Sequence, residues 1–267
     1  MSNINSISNS DTTVSVTLKK ETIQRLLKDV KEIIKNPLED NGIYYYHNEE
    51  NMLEGYAMIV GPEDTPYFGG FYFFKFNYPQ DYPHSPPTVK YYTNADSIRF
   101  NPNLYVCGKV CVSLLNTWNG EQWTSCQTIS TVLLTLCTLL NSVPLLNEPG
   151  VSGSNPDIVE YNKIIEYKNI DIAIIRMMKK EKGLFLPWFE QFYPHMKSIF
   201  MKNHAKILEF LEKKVEENSK PFKAQVRYYN SMLCEINYTS LLEKYKLFYN
   251  QISHNENGDG KNVKNIK

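Results

Sequence analysis

The sequence predicts an α+β fold in which strands and helices occupy separate stretches of the chain. Four runs rich in Tyr, Phe, Ile and Val lie within residues 43–93, divided by short segments of Asn, Gly, Asp and Pro. Apolar residues recur at helical spacing before this region and again from residue 129 onward. Segregated strands and helices are typical of α+β proteins, and short links between strands favour an antiparallel meander over a parallel sheet.

The first predicted helix lies before Pro37, and the four predicted strands follow it. One face of the helix is apolar, and Pro37 cannot continue it. The apolar residues of this face are Ile23, Leu26, Leu27, Val30, Ile33 and Ile34. The predicted strands are residues 43–46, 56–60, 71–76 and 89–93.

An irregular segment, residues 94–125, separates the predicted strands from a second, buried helix. A segment of this kind inside a compact domain is commonly functional. The helix begins at Ile129, and its uncharged run to residue 146 approaches the length of a membrane span. Ser, Thr and Asn residues interrupt that run, and Pro144 would break a helix there, so a buried helix of a globular domain is the preferred interpretation.

The C-terminal part of the chain is predicted to be helical. Residues 158–178 and 182–250 show helical periodicity, and Ser240 followed by Glu243 fits a capping box. We expect a disordered arm at residues 1–15, a globular domain at 16–180, a helical extension at 181–250 and a disordered tail at 251–267.

The composition argues against several classes of function. The 29 basic and 29 acidic side chains cancel, so no overall basic field predicts binding to nucleic acid or to an anionic membrane. Five cysteines are too sparse for a disulfide framework, and the N-terminal residues lack the pattern of a signal peptide. We therefore expect a cytoplasmic and/or nuclear protein with reduced thiols.

Two cysteines of the irregular segment, Cys107 and Cys111, are the candidate nucleophiles. They suit this role better than Cys137, on an apolar helical stripe, or Cys234, in the C-terminal helical region. Cysteine hydrolysis would also need a histidine base, and none of the five histidines lies in a recognisable motif. A zinc site lacks a second ligand pair, and no phosphate-binding or dinucleotide fingerprint is present. From the residues alone, an inert thiol is the simpler interpretation.

Five motifs, taken in order, resemble those of the ubiquitin-conjugating enzymes. They are GPEDTPYFGG at residues 61–70, YPHSPP at 82–87, NPN at 101–103, GKVCVSLL at 108–115, and Trp123 followed by Thr128-Ile129. In this family the nucleophilic cysteine lies eight residues past the asparagine of an HPN tripeptide. Cys111 lies eight residues past Asn103 and Cys107 does not, so the resemblance assigns the nucleophile to Cys111.

The resemblance covers residues 17–178 and implies the UBC fold of that family. This fold has an N-terminal helix, a four-stranded antiparallel meander, an active-site loop, a central helix and C-terminal helices. Here the helical extension would be added to it, and residues 16–180 would form the catalytic domain.

The resemblance also implies a reaction. Cys111 would accept ubiquitin, or a ubiquitin-like modifier, from an activating enzyme as a thioester and pass it to a lysine of a protein substrate. Asn103 would donate to the developing oxyanion or hold the surrounding loop, and Glu148 would orient the lysine amine and accept its proton. No cofactor is expected, because ATP is used by the activating enzyme. The alternative is a UBC-fold module that binds ubiquitin or a ligase without catalysis, although such variants lack the cysteine.

Several departures from the usual pattern resemble one large branch of the family, which includes the UBC domains of giant inhibitor-of-apoptosis-type conjugating enzymes. Asn101 replaces the motif's histidine, and a longer loop carries Trp118-Asn119-Gly120. The C-terminal extension is a third such feature.

The resemblance further implies contacts with partner proteins. Family members contact the activating enzyme through basic residues of the first helix, and this chain has Lys19, Lys20, Arg25 and Lys28 there. Ligases commonly bind a phenylalanine in one loop of these enzymes and a Ser-Pro-Ala sequence in a second loop. This chain has His84 in the first place and Thr124-Ser125-Cys126 in the second. Both changes remove apolar anchors, so a ligase partner is left open.

Overall fold

The structure, a computed structural model, describes residues 18–228 and 232–259. The predicted arm at residues 1–15 and the end of the predicted tail, residues 260–267, lie outside the described residues. Within residues 18–228 and 232–259, none of the helices is long and apolar enough to cross a membrane.

A four-stranded antiparallel sheet forms the centre of the N-terminal part, and its strands lie side by side in chain order. A helix, α1, precedes it at Lys20–Lys35. The strands are β1 (Ile43–His47), β2 (Glu54–Val60), β3 (Phe71–Asn77) and β4 (Thr88–Tyr91). The predicted α+β class and the predicted meander are confirmed.

Two helices follow the irregular segment and contribute buried residues to the same core as the sheet. The central helix α2 spans Ile129–Leu139, and the Thr128 hydroxyl caps its first turn by accepting from the backbone N–H of Thr131 at 3.2 Å. Helix α3 spans Asp157–Lys168 and continues directly into a π-helical segment, Asn169–Arg176. In α2, Ile129, Val132, Leu133 and Leu136 are fully buried, which agrees with the predicted buried helix.

The glycine pair of the first motif allows a turn to touch the π-helical segment. The Asn169 side chain is buried there, where it accepts from the Tyr72 hydroxyl at 2.6 Å and donates to the Phe68 carbonyl at 2.9 Å. A Cβ atom on Gly70 would lie 1.9 Å from Asn169 Oδ1. Only glycine leaves room for this contact, which explains why glycine occupies position 70 of the motif.

The start of the C-terminal extension covers the outer face of the sheet with aromatic rings. Phe189 stacks on Phe73 of β3 with ring centroids 4.0 Å apart. The Trp188 ring meets Tyr56 and Tyr92 edge-on, at 4.6 and 4.8 Å. Because β3 is covered on both faces, its sequence is an almost continuous aromatic run and not a polar–apolar alternation. The extension therefore shares the hydrophobic core of the domain.

The extension is helical, as predicted, but it also contains a β-hairpin that the helical interpretation missed. Helix α4 (Tyr193–Glu217) and helix α5 (Tyr238–Asp259) flank β5 (Phe222–Val226) and β6 (Met232–Ile236). Alternate hairpin residues face inward and are buried, and this period-two pattern is too short to stand out beside two long helices. Cys234 consequently lies on a strand.

Helix α5 differs from its predicted form at both ends. It begins at Tyr238, and the Asn237 side chain accepts from the backbone N–H of Ser240 at 3.1 Å. The cap is therefore Asn237, and the predicted capping box at Ser240 is wrong. The helix continues past residue 250, the predicted end of the helical extension, to Asp259.

We expect Gly70→Ala to lower the free energy of unfolding by about 2 kcal/mol, because the new methyl group would displace the buried Asn169 amide from its partners. Urea unfolding, monitored by tryptophan fluorescence, measures this change. Gly153→Ala is the matched control, since a Cβ atom there meets nothing within 4 Å. Equal stability of the two variants would contradict the proposed contact.

We expect Phe189→Ala to lower the free energy of unfolding by about 3–5 kcal/mol, because it removes a fully buried ring from the sheet surface. The control is Leu247→Ala on α5, where the side chain is 65% exposed. If both substitutions have the same small effect in a denaturant titration, the extension does not share the core.

Candidate active site

Cys111 lies in a folded-back segment that is joined to the sheet. Isolated antiparallel bridges pair Lys90 of β4 with Lys109, and Leu104 with Val110. The backbone N–H of Cys111 donates to the Asn103 carbonyl at 2.9 Å. The spacing of eight residues therefore corresponds to a loop that returns on itself and places the two residues side by side.

The Asn103 side chain is oriented toward the backbone of Cys111. Its Nδ2 atom donates to the Cys111 carbonyl at 2.6 Å, and its own backbone N–H donates to Asn101 Oδ1 at 2.9 Å. Asn103 Oδ1 is buried and accepts no hydrogen bond from the described residues. Asn103 is predicted either to donate to the oxyanion or to hold the loop. Its bond to the Cys111 carbonyl is a contact of the second kind, within the loop.

Asn101, which stands where the family motif has histidine, anchors the loop to the core. It is fully buried and donates to the Leu139 carbonyl at the end of α2 at 2.7 Å and to the Tyr67 hydroxyl at 3.1 Å. Asn147 donates to Asn101 Oδ1 at 3.4 Å and to the same Leu139 carbonyl at 3.2 Å. An amide supplies both donors and an acceptor, so it satisfies this buried network without carrying charge.

Thr117 holds the other side of the cysteine. Its hydroxyl accepts from the backbone N–H of Val112 at 2.9 Å and donates to the Val110 carbonyl at 3.0 Å. Its backbone carbonyl accepts from Cys111 Sγ at 2.9 Å. The cysteine is therefore buried between the two ends of its loop. Thr117 is not among the residues predicted from the sequence, because its role depends on contacts that no motif shows.

The three predicted site residues share one small pocket. Cys111, Asn103 and Glu148 all line it, and Arg99 and Trp118 contribute to the same walls. Glu148 Oε2 lies 3.9 Å from an Arg99 guanidinium nitrogen. The Trp118 side chain, in the longer loop, is 45% exposed and forms part of the rim.

The hairpin of the extension contacts the loop that carries Glu148. Tyr228 lies two residues past the end of β5. Its hydroxyl donates to the Pro149 carbonyl at 3.1 Å, and its backbone N–H donates to Asp157 Oδ2 at 2.7 Å. The C-terminal extension is thus in contact with the pocket residues as well as with the back of the sheet.

The other cysteines lie in different surroundings. Cys107 and Cys126 are exposed. Burial raises the pKa of the Cys137 thiol and of the Cys234 thiol, which makes both poorer nucleophiles. Among residues 18–228 and 232–259, no three His, Cys, Asp or Glu side chains are placed to hold a metal ion.

The loops in which family members bind ligases lie next to α1. His84 faces Glu21 of α1, with His84 Nε2 3.2 Å from Glu21 Oε1. The Arg25 guanidinium donates to the carbonyls of Ser125 and Gln127 and pairs with Asp29. Arg25 is therefore engaged inside the protein, whereas the predicted activating-enzyme contacts Lys19, Lys20 and Lys28 are exposed.

Comparison with known proteins agrees with this geometry. The sequence matches the family model of ubiquitin-conjugating enzymes over residues 25–166, which include Cys111, Asn103 and Glu148. The chain belongs to the ubiquitin-conjugating enzyme family. The predicted resemblance to this family is confirmed, and the more specific resemblance to the giant inhibitor-of-apoptosis-type branch stays a prediction.

Individual relatives show the extent of the similarity. Ubiquitin-conjugating enzyme E2 Z of Homo sapiens is 40% identical over 162 residues, which cover 60% of this chain and 45% of that protein. The E2 Z of Xenopus tropicalis is 38% identical over 162 residues, covering 60% and 51%. A probable ubiquitin-conjugating enzyme protein 17 of Caenorhabditis elegans is 33% identical over 179 residues, covering 62% and 25%. The chain spans about half the length of its E2 Z relatives.

Proposed function

We propose that the protein is an active ubiquitin-conjugating enzyme in which Cys111 carries ubiquitin, or a ubiquitin-like modifier, as a thioester. The modifier then passes to a lysine of a protein substrate. One observation carries this proposal: in a chain of this family, the candidate nucleophile Cys111 shares a pocket with an amide donor, Asn103, and a carboxylate, Glu148.

The first step is the exchange of one thioester for another. The Cys111 thiolate attacks the carbonyl carbon of the modifier, a new S–C bond forms, and the thiolate of the activating enzyme leaves. The two thioesters are close in energy, so this step needs no ATP and no cofactor of this protein. The thiol proton, which faces the Thr117 carbonyl, passes to solvent when the nucleophile forms, and the departing thiolate takes up a proton from solvent in turn.

The second step is attack by a lysine amine on the stored thioester. The tetrahedral intermediate carries a developing negative charge on oxygen, and a neutral amide can donate to it without giving up a proton. Asn103 Nδ2 uses one hydrogen for the Cys111 carbonyl and has a second one to offer. Glu148 accepts the proton that the amine releases, and the Cys111 thiolate departs as the amide bond forms.

The alternative functions find less support. A binding module without catalysis would not need a cysteine in this pocket. A cysteine hydrolase would need a histidine base, and the described residues that line the pocket include no histidine.

The partners that we propose follow from this reaction. They are a modifier, an activating enzyme and protein substrates, in the cytoplasm and/or the nucleus. A ligase is a further candidate, although His84 and Ser125-Cys126 offer it few apolar anchors.

We expect wild-type protein, mixed with an activating enzyme, Mg-ATP and ubiquitin, to form an adduct that survives a non-reducing gel and is removed by thiol. Cys111→Ala should abolish the adduct, because it removes the sulfur, and Cys107→Ala should charge like the wild type. An adduct on Cys111→Ala would contradict the proposal, as would failure of the wild type with every activating enzyme and modifier tried. Ubiquitin binding detected by NMR without any adduct would instead support a binding module.

We expect Asn103→Ala to slow discharge of the preformed thioester onto free lysine about 100-fold, the usual cost of one oxyanion donor. A single-turnover chase after charging isolates this step from loading. Asn162→Ala on α3 provides an asparagine control away from the pocket. A discharge rate of Asn103→Ala equal to that of the control would show that the amide takes no part in the transfer.

A further inference from the structure

The side chain of Arg99 is held from several sides at the edge of the pocket. Its guanidinium carbon lies 4.0 Å from the centroid of the Tyr105 ring, and one of its nitrogens donates to the Pro102 carbonyl. The same nitrogen, Nη2, lies 3.9 Å from Glu148 Oε2. Both side chains of this ion pair are about four-fifths buried, with 20% and 19% of their surface exposed.

The backbone of Arg99 is fixed as well. The Tyr161 hydroxyl of α3 donates to the Arg99 carbonyl at 2.7 Å. Two residues further on, the buried Asn101 ties the loop to α2. The guanidinium therefore projects from a rigid platform, and a planar cation that stacks on a ring has little freedom to move.

We infer that Arg99 is a positioning residue of the active site, which holds the Glu148 carboxylate in the pocket of Cys111 so that it can receive the incoming lysine amine. This inference rests on the proposed function. Arg99 itself makes no bond to the reacting atoms. It acts through Glu148, and no family motif among those that identify the chain includes it.

The charge pattern suits this role. An isolated carboxylate on a loop would rotate toward water, whereas a partly buried guanidinium within 4 Å attracts it more strongly than it would in bulk solvent. A cation at the pocket also disfavours the protonated form of an approaching amine through like-charge repulsion. The Glu148 carboxylate acts on the amine in the opposite sense, so the ion pair holds the protonated amine less strongly than an unpaired carboxylate would, and Glu148 remains to take the proton.

The test compares two nucleophiles in single-turnover discharge from Cys111. Free lysine must lose a proton to attack, whereas hydroxylamine is a weak base and is already unprotonated at neutral pH. We expect Arg99→Gln to slow discharge onto lysine at least about tenfold, and discharge onto hydroxylamine to stay within about twofold of the wild type. Arg99→Lys keeps the charge but loses the planar guanidinium that stacks on Tyr105. We expect it to recover part of the rate of discharge onto free lysine.

Two further variants sharpen the comparison. Arg176→Gln is the matched control, because Arg176 pairs with Asp96 and Glu181 outside the pocket. Its discharge onto both nucleophiles should equal that of the wild type. The double variant Arg99→Gln/Glu148→Gln should be no slower than Glu148→Gln alone, because a positioning residue has no effect once its target is gone.

Three outcomes would overturn the inference while leaving the proposed function intact. They are an unchanged lysine rate in Arg99→Gln, an equal loss with both nucleophiles, and additive losses in the double variant. An equal loss would mean that Arg99 only maintains the shape of the pocket. If wild-type Cys111 accepts no modifier in the charging step, the proposed function fails, and the inference about Arg99 fails with it.

Discussion

The candidate active site depends on one buried hydrogen-bond network that attaches an irregular loop to a helix end. Residues 94–125 contain little regular secondary structure, so their buried backbone groups must find partners elsewhere. Asn101 accepts from the backbone N–H of Asn103 and joins the loop to the Leu139 carbonyl of α2 and to the Tyr67 hydroxyl. This anchor fixes the position of the loop relative to α2, while the direct hydrogen bonds between Asn103 and Cys111 keep those two residues in register.

The same network explains why asparagine can stand in the place of the family's histidine. The site requires a side chain that donates twice and accepts at least once while buried, and a neutral amide does this at any ordinary pH. A histidine would bring a titratable group into the core. The loop of this chain is therefore held by contacts that do not change with protonation.

The C-terminal extension packs as part of the UBC domain. Its first segment buries the outer aromatic face of the sheet through Phe189 and Trp188. Its hairpin reaches Pro149, next to Glu148, through Tyr228. The extension thus contacts the domain both behind the sheet and beside the pocket. Its loss would expose apolar rings on one side and remove a contact to the loop that carries Glu148 on the other.

The sequence by itself determined the α+β class, the antiparallel meander, the central helix and the family, because these depend on local periodicity and on motifs with fixed spacing. The distance of eight residues from Asn103 to Cys111 distinguished Cys111 from Cys107. Only the tertiary structure decided that Thr117 forms hydrogen bonds to the cysteine and its neighbours, that Arg99 lies beside Glu148 and that the extension contains a β-hairpin. These features arise where segments far apart in the chain pack together, and no local pattern records which side chains will meet.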